Sequence, residues 1–327
     1  MIITRTERDG EGVRLSVLEA GAPGAPLVVL IHGFPELAIS WSAQIEALAA
    51  AGLRVLAPDM RGYGESGRPE GVEAYGIHAL VGDIWALIRG EGESSAHIVG
   101  HDWGAAVAWH CALLRADMTR SVTGLSVPFQ PRRSHGPPTR AMQAMAQRLG
   151  RGDLYISRFQ DGGAHVALEA DPATALRKMF YAYDGATPGS ERHTGFLAPG
   201  VDMTGSISDA ARLPAWMSEA HFDLYVRAFT KGGFEAPLNW YRAMDDNWRT
   251  TAPWQDVRPA PPAQFITGSH DPVRHYAGAD EARLGESLAD LRARHVIEGA
   301  GHWIQQERAA EVSALLHDFI AAIEREN

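Results

Sequence analysis

The segment that most constrains this chain is Ala96-His97-Ile98-Val99-Gly100-His101-Asp102-Trp103-Gly104. Its first half is small and apolar, as a buried strand requires, and an alanine-rich helical pattern, Ala105 to Leu114, begins at once behind it. A strand that turns into a helix within two residues forces its middle residue into a strained backbone conformation. Glycines at 100 and 104 let the two elements approach closely. This is the pattern of a nucleophile elbow with Asp102 at its apex, and no Gly-x-Ser-x-Gly occurs in the chain. Taken alone, Asp102 could also be a helix N-cap, a common task for Asp.

The flanking sequence supplies the sheet such an elbow needs. Short apolar runs at Arg14 to Leu18, Leu27 to Ile31, Arg54 to Ala57, Ala96 to Val99 and Val122 to Ser126 read as strands. Helical patterns at Trp41 to Ala50, Gly76 to Arg89 and Ala105 to Leu114 separate them. That alternation predicts an α/β protein with a mainly parallel sheet. After Pro128 the pattern becomes helical and rich in Met and aromatics up to about Trp248. Strand patterns resume at Ala263 to Thr267 and Ala293 to Ile297, and an amphipathic helix from Arg308 to Arg325 follows. The expected organisation is a core of residues 1–128 and 249–327, split by a helical lid over 129–248.

Further candidates fall just beyond strands, where sheets of this type carry their chemistry. His32-Gly33-Phe34-Pro35 follows the Leu27 to Ile31 run, so the Phe34 and Trp103 amides become the candidate oxyanion donors. Asp271 follows Thr267-Gly268-Ser269-His270, and His302 stands in Gly299-Ala300-Gly301-His302-Trp303. The order nucleophile, acid, histidine matches that of an elbow-based triad. Asp271 before Pro272 would also make a good turn, and a Gly-flanked His is often plain loop.

The bulk numbers narrow the function classes. Over 327 residues the formal charge is -10, and no Lys/Arg run is present, which disfavours nucleic acid as a partner. Hydrophobic residues at 45% and charged residues at 21% suit a globular fold. The single cysteine, Cys111, excludes an intramolecular disulfide and paired-cysteine zinc sites; no cofactor or metal is expected. Met1 to Gly10 lacks the apolar stretch of a signal peptide, and the longest aliphatic run, Leu27 to Ile31, is too short for a bilayer. A cytoplasmic enzyme acting on a small molecule is expected, with a homodimer left open.

With these residues in place, the chain resembles the epoxide hydrolase family of α/β-hydrolases from about Arg14 to Ala321. The likeness rests on His32-Gly33-Phe34-Pro35-Glu36 with Ser40-Trp41, on Ala57-Pro58-Asp59-Met60-Arg61-Gly62-Tyr63-Gly64, and on the Asp102 elbow. It continues through Gly301-His302-Trp303 with Gln305 and Glu307, and through Pro237-Leu238-Asn239-Trp240-Tyr241-Arg242, a lid motif that sets this family apart from its fold relatives. The resemblance implies two lid tyrosines. Tyr241 matches one; Tyr155, in Tyr155-Ile156-Ser157-Arg158-Phe159-Gln160, matches the other, with Tyr181, Tyr183 and Tyr225 as rivals.

The expected reaction opens a lipophilic epoxide to a vicinal diol. An ionised Asp102 attacks carbon, the tyrosines protonate the alkoxide, and water activated by His302 and Asp271 cleaves the ester. Lid residues such as Met142, Met145, Phe159, Phe180, Phe222, Phe229 and Trp240 suggest an apolar pocket, though they could equally form lid core. A haloalkane or haloacid dehalogenase with the same triad is the alternative. Haloalkane dehalogenases commonly carry Asn where Phe34 stands, and their lids lack the Asn239-Trp240-Tyr241 pattern. A non-catalytic binding module on the same fold would have no use for a complete triad.

Overall fold

Seven apolar or alternating segments and one charged segment assemble into a single eight-stranded sheet in the computed structural model. The structure describes residues 2–134, 136–198, 200–209 and 212–326; Met1, which opens the N-terminal segment read above, lies outside them. The strands are β1 (Thr4–Asp9), β2 (Arg14–Ala20), β3 (Leu27–Ile31), β4 (Arg54–Pro58), β5 (Ala96–His101), β6 (Thr119–Leu125), β7 (Ala263–Gly268) and β8 (Leu291–Ile297). Their spatial order is β1-β2-β4-β3-β5-β6-β7-β8. β2 pairs antiparallel with both β1 and β4, and every other neighbouring pair is parallel. The central strands β3, β4 and β5 are buried along their whole length, as parallel strands covered on both faces must be.

Two apolar layers cover those faces. On one side Ile45 and Leu48 of helix α1 (Ser42–Ala50) pack with Leu316 and Ile320 of the helix Ala309–Glu326 against Val28, Leu30 and Val99. On the other, Ile84 and Leu87 of α2 (Ile77–Gly90) and Val107 and Cys111 of α3 (Trp103–Leu114) pack on Val29, Ile31 and Ile98. Truncating a side chain such as Ile98 to Ala in so closed a layer costs about 2–5 kcal/mol. Beneath α2, Arg61 forms a bidentate pair with Asp83, Nε to Oδ2 and Nη2 to Oδ1 both at 2.7 Å, and also donates to the carbonyls of Ala74 and Glu11.

β1 was not expected. Its six residues Thr-Arg-Thr-Glu-Arg-Asp carry no apolar run, and they pair along the edge of the sheet, where one flank meets solvent. Between β6 and β7 the described residues form helices and none of the sheet's strands. Helix Glu235–Arg242 brings Trp240 onto Tyr63 and Trp103, with ring centroids 5.5 and 6.0 Å apart, and Trp240 Nε1 donates to the carbonyl of Arg61. These contacts tie helix Glu235–Arg242 to the residues that follow β4 and β5.

Candidate active site

Four strand ends converge on one point. β3 runs out into His32-Gly33-Phe34, β5 into Asp102, β7 into the Asp271 loop and β8 into the His302 loop. Asp102 has φ 54° and ψ −119°, the strained conformation the elbow requires. The elbow closes this tightly only because its small positions are glycine: a Cβ at Gly100 would stand 2.0 Å from the Gly104 carbonyl oxygen, and one at Gly104 2.1 Å from that of Ile31.

The His32 turn is locked by its own imidazole. Met60 N–H donates to Nε2 at 3.0 Å, so the ring proton sits on Nδ1 and donates to the Gly33 carbonyl at 2.9 Å. That turn presents the Phe34 N–H to Asp102 Oδ1 at 2.9 Å. The Trp103 amide opens α3, where no carbonyl one turn earlier exists to receive it.

His302 lies between the two carboxylates. Its Nδ1 is 3.2 and 3.3 Å from the two oxygens of Asp271, and its Nε2 is 3.6 Å from Asp102 Oδ2. All three side chains are buried. Burial alone would lower the His302 imidazole, but the charge and hydrogen bond of Asp271, joined by the nearby charge of Asp102, lift it well above its usual value. Burial likewise raises the Asp102 carboxyl, yet His302 and the Phe34 amide hold it below the ordinary carboxylate range. Asp102 is therefore ionised and His302 is strongly basic.

Tyr155 and Tyr241 face the same spot from the insertion. The Tyr241 ring packs edge-on against Phe34, Trp103 and Phe159 at 5.6, 5.1 and 5.1 Å, and stands 6.1 Å from the Tyr155 ring. Both phenols are pushed up by burial and by the Asp102 charge, so both keep their protons at neutral pH. Gln160 Nε2 holds the Tyr241 carbonyl at 3.0 Å, which ties the two tyrosine segments together. Of the rivals, the Tyr181 hydroxyl is engaged by Glu191 at 2.5 Å, and the Tyr225 hydroxyl is buried with no hydrogen-bond partner among the described residues. Tyr183 does line a small cavity beside Asp102 and His302, with its hydroxyl 3.1 Å from His193 Nδ1.

The structure adds residues that no motif announced. Tyr276, on helix Arg274–Ala282, lines with Tyr155 both cavities that meet at Asp102. His101 sits behind the nucleophile, its Nδ1 2.6 Å from Glu36 and its Nε2 donating to the His302 carbonyl at 2.7 Å. A carboxylate on one side and a carbonyl on the other make this ring a strut between the elbow and the His302 loop. Both His101 and Glu36 lie inside recognisable motifs, but only the folded chain shows that they meet.

From Asp102 a cavity of about 250 Å³ extends past Trp103, Tyr155 and Tyr241 to Leu113, Met142, Met145 and Trp254. Phe180, Phe222, Phe229 and Trp240 are instead buried packing residues of the insertion. No group of three or more His, Cys, Asp or Glu among the described residues is arranged to hold a metal ion.

Comparison with known proteins bears on the fold and the family. Residues 26–309 match the family described as the alpha/beta hydrolase fold. The chain is 47% identical over 325 residues to epoxide hydrolase A of Mycobacterium tuberculosis, covering 98% of each. It is 36% identical to epoxide hydrolase 2 of Siraitia grosvenorii, over 97% of this chain and 98% of that one. The crystal structure of epoxide hydrolase A from Mycobacterium thermoresistibile matches with a TM-score of 0.92 at 40% identity and 98% coverage of both chains. An epoxide hydrolase from an endophytic Streptomyces matches with a TM-score of 0.94 at 37% identity, over 99% of this chain and 96% of that one. With likeness this deep along the whole chain, the protein belongs to the α/β-hydrolase fold and, within it, to the epoxide hydrolase family.

Proposed function

We propose that this protein opens a lipophilic epoxide to a vicinal diol through an ester on Asp102, with residues 129–248 acting as the lid that closes over the reacting centre. One observation carries the reading above the rest. An ionised carboxylate in a strained turn faces two buried, protonated phenols across an apolar cavity.

In the first step Asp102 Oδ2 attacks an epoxide carbon and the ring C–O bond breaks. Oδ1 already receives the Phe34 N–H, which leaves Oδ2, on the His302 side, as the attacking atom. The alkoxide takes its proton from the Tyr241 or Tyr155 hydroxyl; such acid assistance contributes about 10²–10⁴-fold. In the second step His302, oriented by Asp271, takes a proton from water, and the hydroxide adds to the Asp102 carboxyl carbon. Negative charge then develops on Oδ1, held by the Phe34 amide and joined by that of Trp103. Collapse breaks the bond between the Asp102 carboxyl carbon and Oδ2, and the departing oxygen takes the proton held by His302. The remaining hydroxyl proton returns through solvent to the tyrosinate, and the diol leaves with Oδ2 while the water's oxygen stays in Asp102.

A dehalogenase would need a cradle for halide where these tyrosines stand, and the relatives named above are epoxide hydrolases. Among the described residues no helix is long and apolar enough to cross a membrane. A cytoplasmic setting fits the lone buried Cys111, whose thiol burial pushes far up and out of reactive range.

The test is His302→Gln mixed with a small aryl or alkyl epoxide and examined by intact mass. The folded variant should gain the mass of one epoxide, and Asp102→Asn should gain nothing and turn over no substrate. A folded His302→Gln that never carries an adduct would refute the two-step reading.

A further inference from the structure

Glu307 belongs to the Gly301-His302-Trp303 motif, yet the steps above leave it without a task. Its half-buried carboxylate lies between the His302 loop and Gly185. Oε2 accepts the Gly301 N–H at 2.7 Å and the Gly185 N–H at 3.0 Å, and Oε1 accepts the Trp303 N–H at 2.9 Å. Gly301 and Trp303 flank His302 in sequence, while Gly185 belongs to the insertion.

We infer that Glu307 is a positioning residue for the hydrolytic half of the reaction. Its carboxylate fixes the His302 loop by tying both amides beside His302 to Gly185 of the inserted segment. The inference rests on the two-step reading above.

An ordinary helix cap explains only the Trp303 contact, since Glu307 ends the short helix Ile304–Glu307 and reaches back over its start. It explains neither Gly301 nor Gly185. The surroundings show that this seam is built as one piece. His302 N–H donates to the Tyr183 carbonyl at 2.9 Å, and His270 Nδ1 to the Gly185 carbonyl at 3.0 Å, so the loops of both triad partners are stitched to residues 183–185. The backbones meet without side chains between them: a Cβ at Gly301 would lie 2.3 Å from Gly185 N, and a Cβ at Gly185 2.4 Å from the Gly299 carbonyl oxygen. Among the described residues both amides donate to this one carboxyl. Burial and the Asp184 charge push it up to about 8, and the Gly301, Gly185 and Trp303 N–H groups work the other way, favouring the ionised form that accepts through two oxygens and donates nothing.

The consequence is selective. Asp102 attacks carbon without His302, whereas hydrolysis of the ester needs the His302 imidazole aimed at water. Glu307→Gln keeps the shape but turns an NH2 group toward an amide N–H on one side, so the loop must shift. A displacement near 1 Å at a catalytic group can cost about 10²-fold. In single-turnover measurements, ester breakdown should slow by about 10- to 100-fold while ester formation stays within about threefold of wild type. The variant should then accumulate ester, as His302→Gln does. Glu307→Asp, which withdraws the same charge by one methylene, should show the same split more weakly and carries the test if Glu307→Gln does not fold. Equal slowing of both steps, unchanged breakdown in a folded variant, or failure of both variants to fold would each overturn the inference. His302→Gln, run alongside, separates this outcome from failure of the ester mechanism itself.

Discussion

Gly33→Ala isolates the contact between the His32 turn and the nucleophile. A Cβ added at Gly33 would stand 2.4 Å from Asp102 Cβ, 2.5 Å from Asp102 Oδ1 and 2.8 Å from the His101 carbonyl oxygen. Ordinary contact begins at 3.4 Å, so about 1 Å must be found. The His101 carbonyl is elbow backbone and cannot give, and the Phe34 side of the turn is boxed in by Phe159, Phe234 and Tyr241. Relief must come from the Asp102 side chain or from the turn, and either breaks the 2.9 Å hydrogen bond from Phe34 N–H. Overpacking of this kind costs about 1–3 kcal/mol of stability, which a domain with two full apolar layers can absorb. A nucleophile displaced by about 1 Å loses about 10²-fold in ester formation, and a lost oxyanion donor costs about a further 10²–10³-fold in ester breakdown. Single-turnover ester formation should therefore fall by about 10²-fold or more, with a thermal midpoint only a few degrees lower. Gly90→Ala is the control, since its added Cβ meets nothing within 4 Å. A folded Gly33→Ala with ester formation within about threefold of wild type would show that this turn does not position Asp102.

Other perturbations probe the remaining groups. Tyr241→Phe and Tyr155→Phe should each slow ring opening by about 10-fold or more and the double variant by up to about 10⁴-fold, read as single-turnover ester formation at fixed pH. An equal loss in ester breakdown instead would contradict their role as acids. Asp102→Asn imitates the neutral ester carboxyl, so the His302 imidazole should titrate at lower pH than in wild type when followed by NMR. The sign for stability follows. Because the folded His302 value is raised, its stabilising contribution is complete below about pH 6.5 and is lost as pH climbs through the folded value, earlier in the variant. Arg61→Met strands Asp83 in a buried site and should cost about 3–5 kcal/mol in chemical denaturation, far more than removing an exposed pair such as Arg283–Glu286.

What the chain discloses before folding depends on how local the cause is. Strands β3, β4, β5 and β7 announce themselves because a buried parallel sheet selects largely apolar runs, and the elbow does so because only glycine tolerates its crossing. Asp271 and His302 are legible by position, each a few residues past a strand. β1 is not, since an edge strand needs backbone partners rather than apolar side chains. Tyr276 beside Tyr155 and the Gly185 amide on Glu307 are invisible for another reason. Their partners are 121 residues away for Tyr155 and 122 for Gly185, and no spacing rule spans such a gap. Tyr155 stood among rivals in the sequence; the fold separates it from Tyr181 and Tyr225 by what each hydroxyl can reach.

The most direct measurement of the central claim is a single turnover, with enzyme in excess over epoxide, in heavy-oxygen water. If Asp102 is the nucleophile, the first diol released takes its new oxygen from the protein and carries no label. The label should then appear in the peptide containing Asp102. A labelled first diol and an unlabelled Asp102 peptide would mean that water attacks the epoxide directly, and the covalent account would fall.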